Sequence, residues 1–305
     1  MPMTETSRNQ LIRLPMVQSA GVELWVKRED ELHPLISGNK FRKLKYNIEE
    51  ARQQRAHTLL TFGGAFSNHI LATAAAAAEY GFKSIGIIRG EELANSVATN
   101  PTLSKAQKLG MKFVFVSRDR YRELTADPEK ARSLSEKGGQ YLIPEGGSNS
   151  LAVKGVSELF IDEDIRADYI CSPVGTGATL AGIVEGAHPT QMVRGYASLS
   201  HEGLYDEVKR FTAKDSFEII DNYTFGGYAK TTSELISRMN WFYKQTKILL
   251  DPVYTGKMIF GLLEDIKRGA FEKGSVILAI HTGGLQGIEG MNDRLERKGQ
   301  LKINI

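Results

Sequence analysis

Between Val22 and Lys27 apolar and polar side chains alternate, the spacing of a strand with one buried face. The residues before it, and on to position 36, otherwise read as an irregular arm. Leu44, Ile48 and Ala51 recur at helical spacing and predict a helix from Leu44 to Arg55. Thr58–Phe62 is a short apolar run that reads as a strand and is broken by Gly63-Gly64. Ser67-Asn68 then offers a helix N-cap, the helix runs through Ala72–Ala78, and Gly81 ends it. Lys83–Ile88 is the next strand, which completes a βαβ unit and implies a parallel pair.

The same rhythm continues. Asn100-Pro101 starts a helix that reaches Leu109, and Met111–Val116 is a strand. Arg118–Glu136 is charged and reads as irregular to helical, facing solvent. Gln140–Pro144 is a strand, followed by the Gly-rich turn Glu145–Asn149, where a domain boundary is expected. A helix over Leu151–Ile161 precedes the strand Asp168–Val174, the loop Gly175–Thr179 and a helix over Leu180–Gly186. Met192–Ser198 and Glu218–Ile220 read as strands, and Thr231–Lys244 and Thr255–Arg268 as helices. Ser275–Ile280 is the last core strand, leading into His281-Thr282-Gly283-Gly284. Strands alternating with helices call for an α/β fold, with mostly parallel sheets covered by helices on both faces.

Composition narrows the function classes. The chain has 305 residues, enough for two domains, with 41% hydrophobic and 25% charged residues and a formal net charge of +3. That balance gives no reason to expect a nucleic acid or an anionic membrane as partner. No apolar run is long enough to span a bilayer, and Met1–Gln10 lacks the apolar core of a signal peptide. A single cysteine, Cys171, cannot form an intrachain disulfide, which fits a reducing cytoplasm; its apolar setting points to core packing. The six histidines show no paired ligand spacing, so no metal site is expected.

The chemistry centres on Ser37-Gly38-Asn39-Lys40-Phe41-Arg42-Lys43-Leu44-Lys45. Gly38 and Asn39 tolerate turn conformations and would present Lys40 at the tip of a turn, where a desolvated amine can attack a carbonyl. Gly-rich turns follow three predicted strands, at Gly63-Gly64, Gly175-Thr176-Gly177 and Gly283-Gly284. Turns at the carboxyl ends of parallel strands gather around one crevice. Val174–Thr179 is the best phosphate cradle, since its glycines admit an oxyanion to the N–H groups of the next helix. It is neither a P-loop nor a dinucleotide fingerprint, and without a ligand it would be a tight strand-to-helix turn. Ala65-Phe66-Ser67-Asn68-His69 could hold a carboxylate at a helix start, or Ser67 could simply cap it. His69 alone reads as a hydrogen-bonded helix residue, and Tyr228 and Tyr254 as aromatics with satisfied hydroxyls. Taken together, an amine on a turn, a phosphate cradle, a carboxylate-binding helix start and a hydroxyl after the last strand suit pyridoxal 5'-phosphate. That cofactor has an aldehyde, a phosphate and a ring nitrogen, and acts as an electron sink.

These motifs, in this order and over nearly the whole chain, resemble the pyridoxal-phosphate enzymes that include D-cysteine desulfhydrase and 1-aminocyclopropane-1-carboxylate deaminase. The resemblance rests on Ser37–Leu44, Gly63–His69, Gly175–Thr179, Asp251–Lys257 and His281–Gly284. It implies the tryptophan synthase β-like fold, fold type II. Residues 1–42 and 151–305 would form the larger domain and 43–150 a smaller α/β domain. It further implies that Lys40 bonds the cofactor aldehyde and moves the proton at the substrate's α-carbon. Lys43, Gly175, Thr176, Gly177 and Thr179 would bind the cofactor phosphate, Asn68 its ring oxygen, and Thr282 would face its pyridine nitrogen. Ser67 and Asn68, with His69 at the same helix start, would take the substrate carboxylate, and Tyr228 and Tyr254 would line the substrate side. A homodimer is implied in the same way.

Two positions depart from the family pattern. Members commonly have Gln where this chain has Phe66, which removes a polar group near the substrate. Ring-opening deaminases place Glu and Leu where Thr255 and Thr282 stand here. A carboxylate near the pyridine nitrogen would favour its protonation and deepen the electron sink; a hydroxyl does so much less. Ring opening has no ready leaving group, whereas β-elimination expels sulfur. The expected activity is therefore that of a lyase on a small amino acid, first D-cysteine, with cyclopropane ring opening second and D-serine or a chlorinated analogue also open. A nucleotide-dependent oxidoreductase is disfavoured by the missing fingerprint, and a non-catalytic binder on the same scaffold would lack the cofactor's visible band.

Overall fold

The chain is described over residues 6–127, 130–131, 138–199 and 202–305 in a computed structural model. It enters through β1 (Asn9–Leu11), α1 (Pro15–Ala20) and β2 (Glu23–Lys27). Next come α2 (Asn39–Gln53), β3 (Thr58–Gly63), α3 (Asn68–Tyr80), β4 (Lys83–Arg89), α4 (Pro101–Lys108), β5 (Met111–Val116), α5 (Arg118–Ala126) and β6 (Gln140–Ile143). The second half runs α6 (Ser150–Ser157), β7 (Tyr169–Val174), α7 (Ala178–Gly186), β8 (Met192–Ala197), α8 (Leu204–Lys209) and β9 (Phe217–Ile220). It ends with α9 (Ser233–Thr246), α10 (Thr255–Lys267), β10 (Val276–Ile280) and α11 (Gly287–Arg297).

The strands form a six-stranded sheet ordered β1-β2-β10-β7-β8-β9 and a four-stranded sheet ordered β5-β4-β3-β6. All described pairings are parallel except β1 with β2. The fold is thus α/β with two mostly parallel sheets. Buried side chains on both faces explain why the central strands read as unbroken apolar runs. In β3, Leu59 joins the core under α2 and α3, while Leu60 and Phe62 join the core on the opposite face with Tyr121 and Leu124 of α5. In β7, Ile170 packs toward α7 and Cys171 toward α10. Each such aliphatic side chain contributes about 1.5–3 kcal/mol relative to full exposure. The alanine run of α3 is buried almost throughout, so small side chains let this helix lie close against its neighbours.

Parallel strands bring their carboxyl ends to the same edge of each sheet. On the larger sheet that edge carries the segments after β2, β7 and β10, and on the smaller sheet the turns after β3 and β6. The candidate motifs sit on these segments.

Several boundaries differ from the sequence expectations. The helix expected from Leu44 begins at Asn39, because Gly38 (φ 63°, ψ −138°) turns the chain directly into it. Lys40 therefore stands in the first turn of α2 rather than at the tip of a free turn. The helix expected to reach Ile161 stops at Ser157. There the Ser157 carbonyl crowds Gly186 at the end of α7, and Asp164 draws the chain away by accepting from the Ile161 N–H and pairing with Lys27 at 2.6 Å. The sequence pattern predicts none of α1, α8 and α11; α1 and α8 are only six residues each, too short for a clear period. Of the charged segment Arg118–Glu136, α5 accounts for the first part, and 128–129 and 132–137 lie outside the described residues. Among the described residues no helix is long and apolar enough to cross a membrane.

Candidate active site

The first turn of α2 is fixed from two sides. Gly38 N–H donates to the Glu29 carbonyl at 3.1 Å, and Asn39 N–H donates to the Thr282 carbonyl at 3.1 Å. Gly38 allows the second contact, since a Cβ there would lie 2.0 Å from the Thr282 oxygen. The Ser37–Lys43 motif and the His281–Gly284 motif are thereby locked together.

Lys40 and Lys43, three residues apart on one helix face, aim at the same acceptor. Their Nζ atoms donate to the Gly146 carbonyl at 3.3 and 3.1 Å, and Lys43 also reaches Ser148 Oγ at 3.4 Å. Neither lysine has a carboxylate within salt-bridge distance among the described residues. Lys40 is half-buried by exposed area, but its ammonium end is enclosed, and loss of hydration lowers its pKa to about 8. Lys43 is fully buried; desolvation, then repulsion from Lys40, pushes its pKa well down.

The glycine loop after β7 closes on the same place. Thr176 Oγ1 lies 2.8 Å from Ser148 Oγ, so the loop connects to Lys43 through one hydroxyl. Asn39 Nδ2 donates to Thr179 Oγ1 at 2.8 Å. Gly177 has φ 77° and opens α7, and α8 packs so closely that a Cβ there would meet the Glu207–Val208 backbone at 3.0 Å. A Cβ on Gly175 would meet the Tyr254 ring at 2.9 Å. This brings the Asp251–Lys257 motif alongside the loop.

Ser67 caps α3 by accepting from the Ile70 N–H at 3.4 Å. The Asn68 amide lies against the turn after β10, with Nδ2 2.8 Å from where a Cβ on Gly284 would sit. Thr282 is buried and contributes its carbonyl to Asn39. Tyr254 and Tyr228 meet edge to face, with hydroxyls 3.5 Å apart. Tyr228 is half exposed, and burial raises the Tyr254 pKa well above that of a free phenol.

His69 turns inward, between β3 and the turn after β6. Thr61 Oγ1 has one hydrogen and gives it to the Ile143 carbonyl at 2.9 Å, so the 2.8 Å contact with His69 Nε2 is donated by the imidazole. His69 is then neutral with a bare Nδ1, and that buried atom has no partner among the described residues. Desolvation, then Lys40 and Lys43, hold its pKa well below normal.

Sequence reasoning missed the acceptor itself. The Glu145–Asn149 turn, expected as a domain boundary, follows a strand and carries two glycines like the other three turns. Gly146 and Gly147 have φ 66° and 68°, and a Cβ on Gly147 would meet the His69 ring at 3.1 Å. Lys257, which the sequence gives no role beyond closing the Asp251–Lys257 motif, has a buried Nζ that donates to the carbonyls of Ser198, Thr224 and Gly227.

Comparison with known proteins places the chain in a family. A model of the pyridoxal-phosphate-dependent enzymes matches residues 3–283. The chain belongs to this family. A candidate 1-aminocyclopropane-1-carboxylate deaminase of Thermotoga maritima is 33% identical over 298 residues, covering 90% of this chain and 93% of that protein. The mitochondrial bifunctional D-cysteine desulfhydrase/1-aminocyclopropane-1-carboxylate deaminase of Arabidopsis thaliana is 32% identical over 311 residues, covering 93% and 77%. The crystal structure of a homologue of 1-aminocyclopropane-1-carboxylate deaminase superposes with a TM-score of 0.80 at 26% identity, covering 97% of this chain and 95% of that one. Among pyridoxal-phosphate-dependent enzymes, the chain is one of the deaminase/desulfhydrase group with the type II fold.

The residues present fit that cofactor. Two lysines without a counter-ion call for an anion or an electrophile. A phosphate would fit the Gly175–Thr179 loop beside Lys43, and Lys40, with its lowered pKa, suits bonding to an aldehyde. The glycines of the cradle stand where any Cβ would collide with Tyr254 or α8. His69 Nδ1, in the first turn of α3, and Ser198 Oγ, just past the end of β8, are buried polar atoms without a partner among the described residues.

Proposed function

We propose that this enzyme eliminates the β-substituent of a small amino acid, with D-cysteine as the best substrate: D-cysteine and water give pyruvate, hydrogen sulfide and ammonia. The bound cofactor supplies an electron sink for the negative charge left at the α-carbon. The chain supplies the rest. Lys40 Nζ, largely unprotonated at mildly alkaline pH, takes the α-proton. Ser67, Asn68 and the first N–H groups of α3 hold the substrate carboxylate. Tyr254 keeps its proton and stands with Tyr228 beside the departing sulfur. Thr176, Thr179 and Lys43 would hold the cofactor's phosphate.

The observation that carries elimination over ring opening is the state of Asp251 and Thr255. Asp251 is buried and accepts from the N–H groups of Val253, Tyr254 and Thr255, and from Thr255 Oγ1 at 2.9 Å. Thr255 Oγ1 in turn accepts from Asp251 N–H at 2.8 Å. Both are committed to capping α10, and position 255 brings no carboxylate to the pyridine side. Ring opening to α-ketobutyrate and ammonia is the alternative, favoured by the relatives' names.

Division of the chain into 1–42 with 151–305 and 43–150 is part of the same reading, supported by strands of one sheet falling in 9–27 and 169–280 and of the other in 58–143. So are a homodimer and a cytoplasmic location. The test is a spectrum of the purified protein before and after borohydride, beside Lys40→Ala, followed by sulfide and α-ketobutyrate assays with D-cysteine and the cyclopropane amino acid. Sulfide release lost in Lys40→Ala supports the reading. A wild type with no visible band after reconstitution overturns it, and α-ketobutyrate alone selects the alternative.

A further inference from the structure

Tyr228 lies on a backbone segment that should not hold its shape unaided. Phe225, Gly226, Gly227 and Ala229 all have positive φ, at 52°, 85°, 114° and 53°. Two of these are not glycine, and each left-handed L-residue costs about 1–2 kcal/mol. Tyr228 itself is 50% exposed, so its own packing gives it little anchorage. Such a conformation persists where surrounding contacts over-determine it.

The Phe225 ring meets Phe260 edge to face and Arg294 donates to the Ala229 carbonyl at 3.2 Å, but the turn directly before Tyr228 is held by Lys257. It stands in the first turn of α10, is only 1% exposed, and donates all three of its N–H groups: to the carbonyls of Thr224 at 2.8 Å, Gly227 at 2.7 Å and Ser198 at 2.8 Å. Two acceptors bracket the left-handed turn directly before Tyr228. The third lies just past the end of β8, where Ser198 N–H donates to the carbonyl of Val174, the residue before the Gly175–Thr179 loop. Tyr254 precedes Lys257 by three residues at the start of α10. One ammonium therefore ties the Tyr228 turn, the helix that follows Tyr254 and the strand beside the cradle.

We propose that Lys257 is a positioning residue: as an ammonium it sets Tyr228 against Tyr254 at the substrate side, and as a neutral amine it releases the Tyr228 turn. The arithmetic of donors carries this, because a neutral amine has two N–H groups for three carbonyls. From the segment before α10 the Asp251 carboxylate favours the charged form; from the end of β8 and the 224–228 turn the groups that reach Nζ are carbonyls. Burial outweighs Asp251 and lowers the lysine's pKa to about 8. The importance of Tyr228 to catalysis rests on the elimination reading; its placement by Lys257 does not.

Hydrogen exchange of the holoenzyme separates the two. In Lys257→Met, the Gly227 and Lys230 N–H groups, which close the turn onto Thr224 and Gly227, should lose protection at least tenfold while α10 keeps its own. Protection within twofold of wild type overturns the proposal. In the wild type, which needs no variant to fold, the same two groups should lose protection reversibly between pH 7 and 10 after correction for intrinsic rates; a flat profile also overturns it. With D-cysteine, Lys257→Met should lower kcat as much as Tyr228→Phe, with no further loss in the double variant. Additive losses there overturn the placement of Tyr228 by Lys257, whereas a wild type that releases no sulfide overturns only the elimination reading and leaves the exchange result standing.

Discussion

Arg42 and Glu29 form a two-pronged ion pair, 2.9 and 2.8 Å long, buried between the two lysines' helix and the segment after β2. Glu29 also accepts from Ser7 at 2.6 Å and, through its carbonyl, from Gly38 N–H. One residue thus braces the turn that presents Lys40 by side chain and backbone together. Glu29→Ala would leave the Arg42 guanidinium buried without a partner, a defect that costs about 3–5 kcal/mol. Chemical denaturation should show a loss of that size, with the midpoint falling and the slope against denaturant unchanged. A loss below about 1 kcal/mol would mean that the pair is dispensable.

Gly38 gives a sharper test of the same turn. Gly38→Ala places a Cβ 2.0 Å from the Thr282 oxygen at a left-handed φ, so either α2 or the turn after β10 must move. Gly81→Ala has a left-handed φ as well, at the C-cap of α3, but meets nothing within 4 Å. Gly81→Ala should cost about 1 kcal/mol, the conformational penalty alone. Gly38→Ala should cost about 3 kcal/mol or more and lower cofactor affinity, measured by denaturation and by cofactor titration. Equal costs would refute the close contact.

Much of this was legible in the residues because the physics was local. Thr58–Phe62 is an apolar run buried on both faces that ends at Gly63, and Met111–Val116 is a β-branched and aromatic run set off by Gly110, so strands and parallel sheets follow from pattern alone. The capping of α3 by Ser67 and of α4 by Asn100 was visible for the same reason. What stayed hidden depends on partners far away in sequence. Nothing near Gly146 announces that its carbonyl will receive Lys40 and Lys43, more than a hundred residues earlier. Lys257 looks like any helix lysine until the carbonyls of Ser198, Thr224 and Gly227 converge on it. Short helices such as α1 and α8 are made by packing rather than by period.

Lys40 carries a pH signature. Its folded pKa is about 8, against an ordinary lysine value of 10.5. Between those values the unfolded chain binds more protons than the folded one, so stability rises with pH across that window. Below about 8 the penalty of confining the charge is fully present. In cofactor-free protein, Lys40→Met should therefore be more stable than wild type at pH 7, and the gain should vanish as pH approaches 10.5. Thermal midpoints at several pH values check this; a constant offset between the two proteins would contradict it.

Tyr254 and Tyr228 should not be equivalent despite their contact. Tyr254 abuts Gly175 of the cradle, begins α10, and is held protonated by burial, with the hydroxyl of Tyr228 and the charges of Asp251 and Glu145 acting in the same direction. A phenol so placed can give or share a proton with a departing group over the whole working pH range. Tyr228 is half exposed and reaches the site through its turn, so water can replace part of what its hydroxyl does. Tyr254→Phe should then lower kcat/KM for D-cysteine by about 100-fold or more, the low end of what positioned acid–base groups contribute. Tyr228→Phe should cost about tenfold. Both variants should retain the thermal midpoint within a few degrees, because the 3.5 Å contact between the hydroxyls is too long to hold the fold. If the two losses were reversed in size, Tyr228 would be the proton donor and Tyr254 its support.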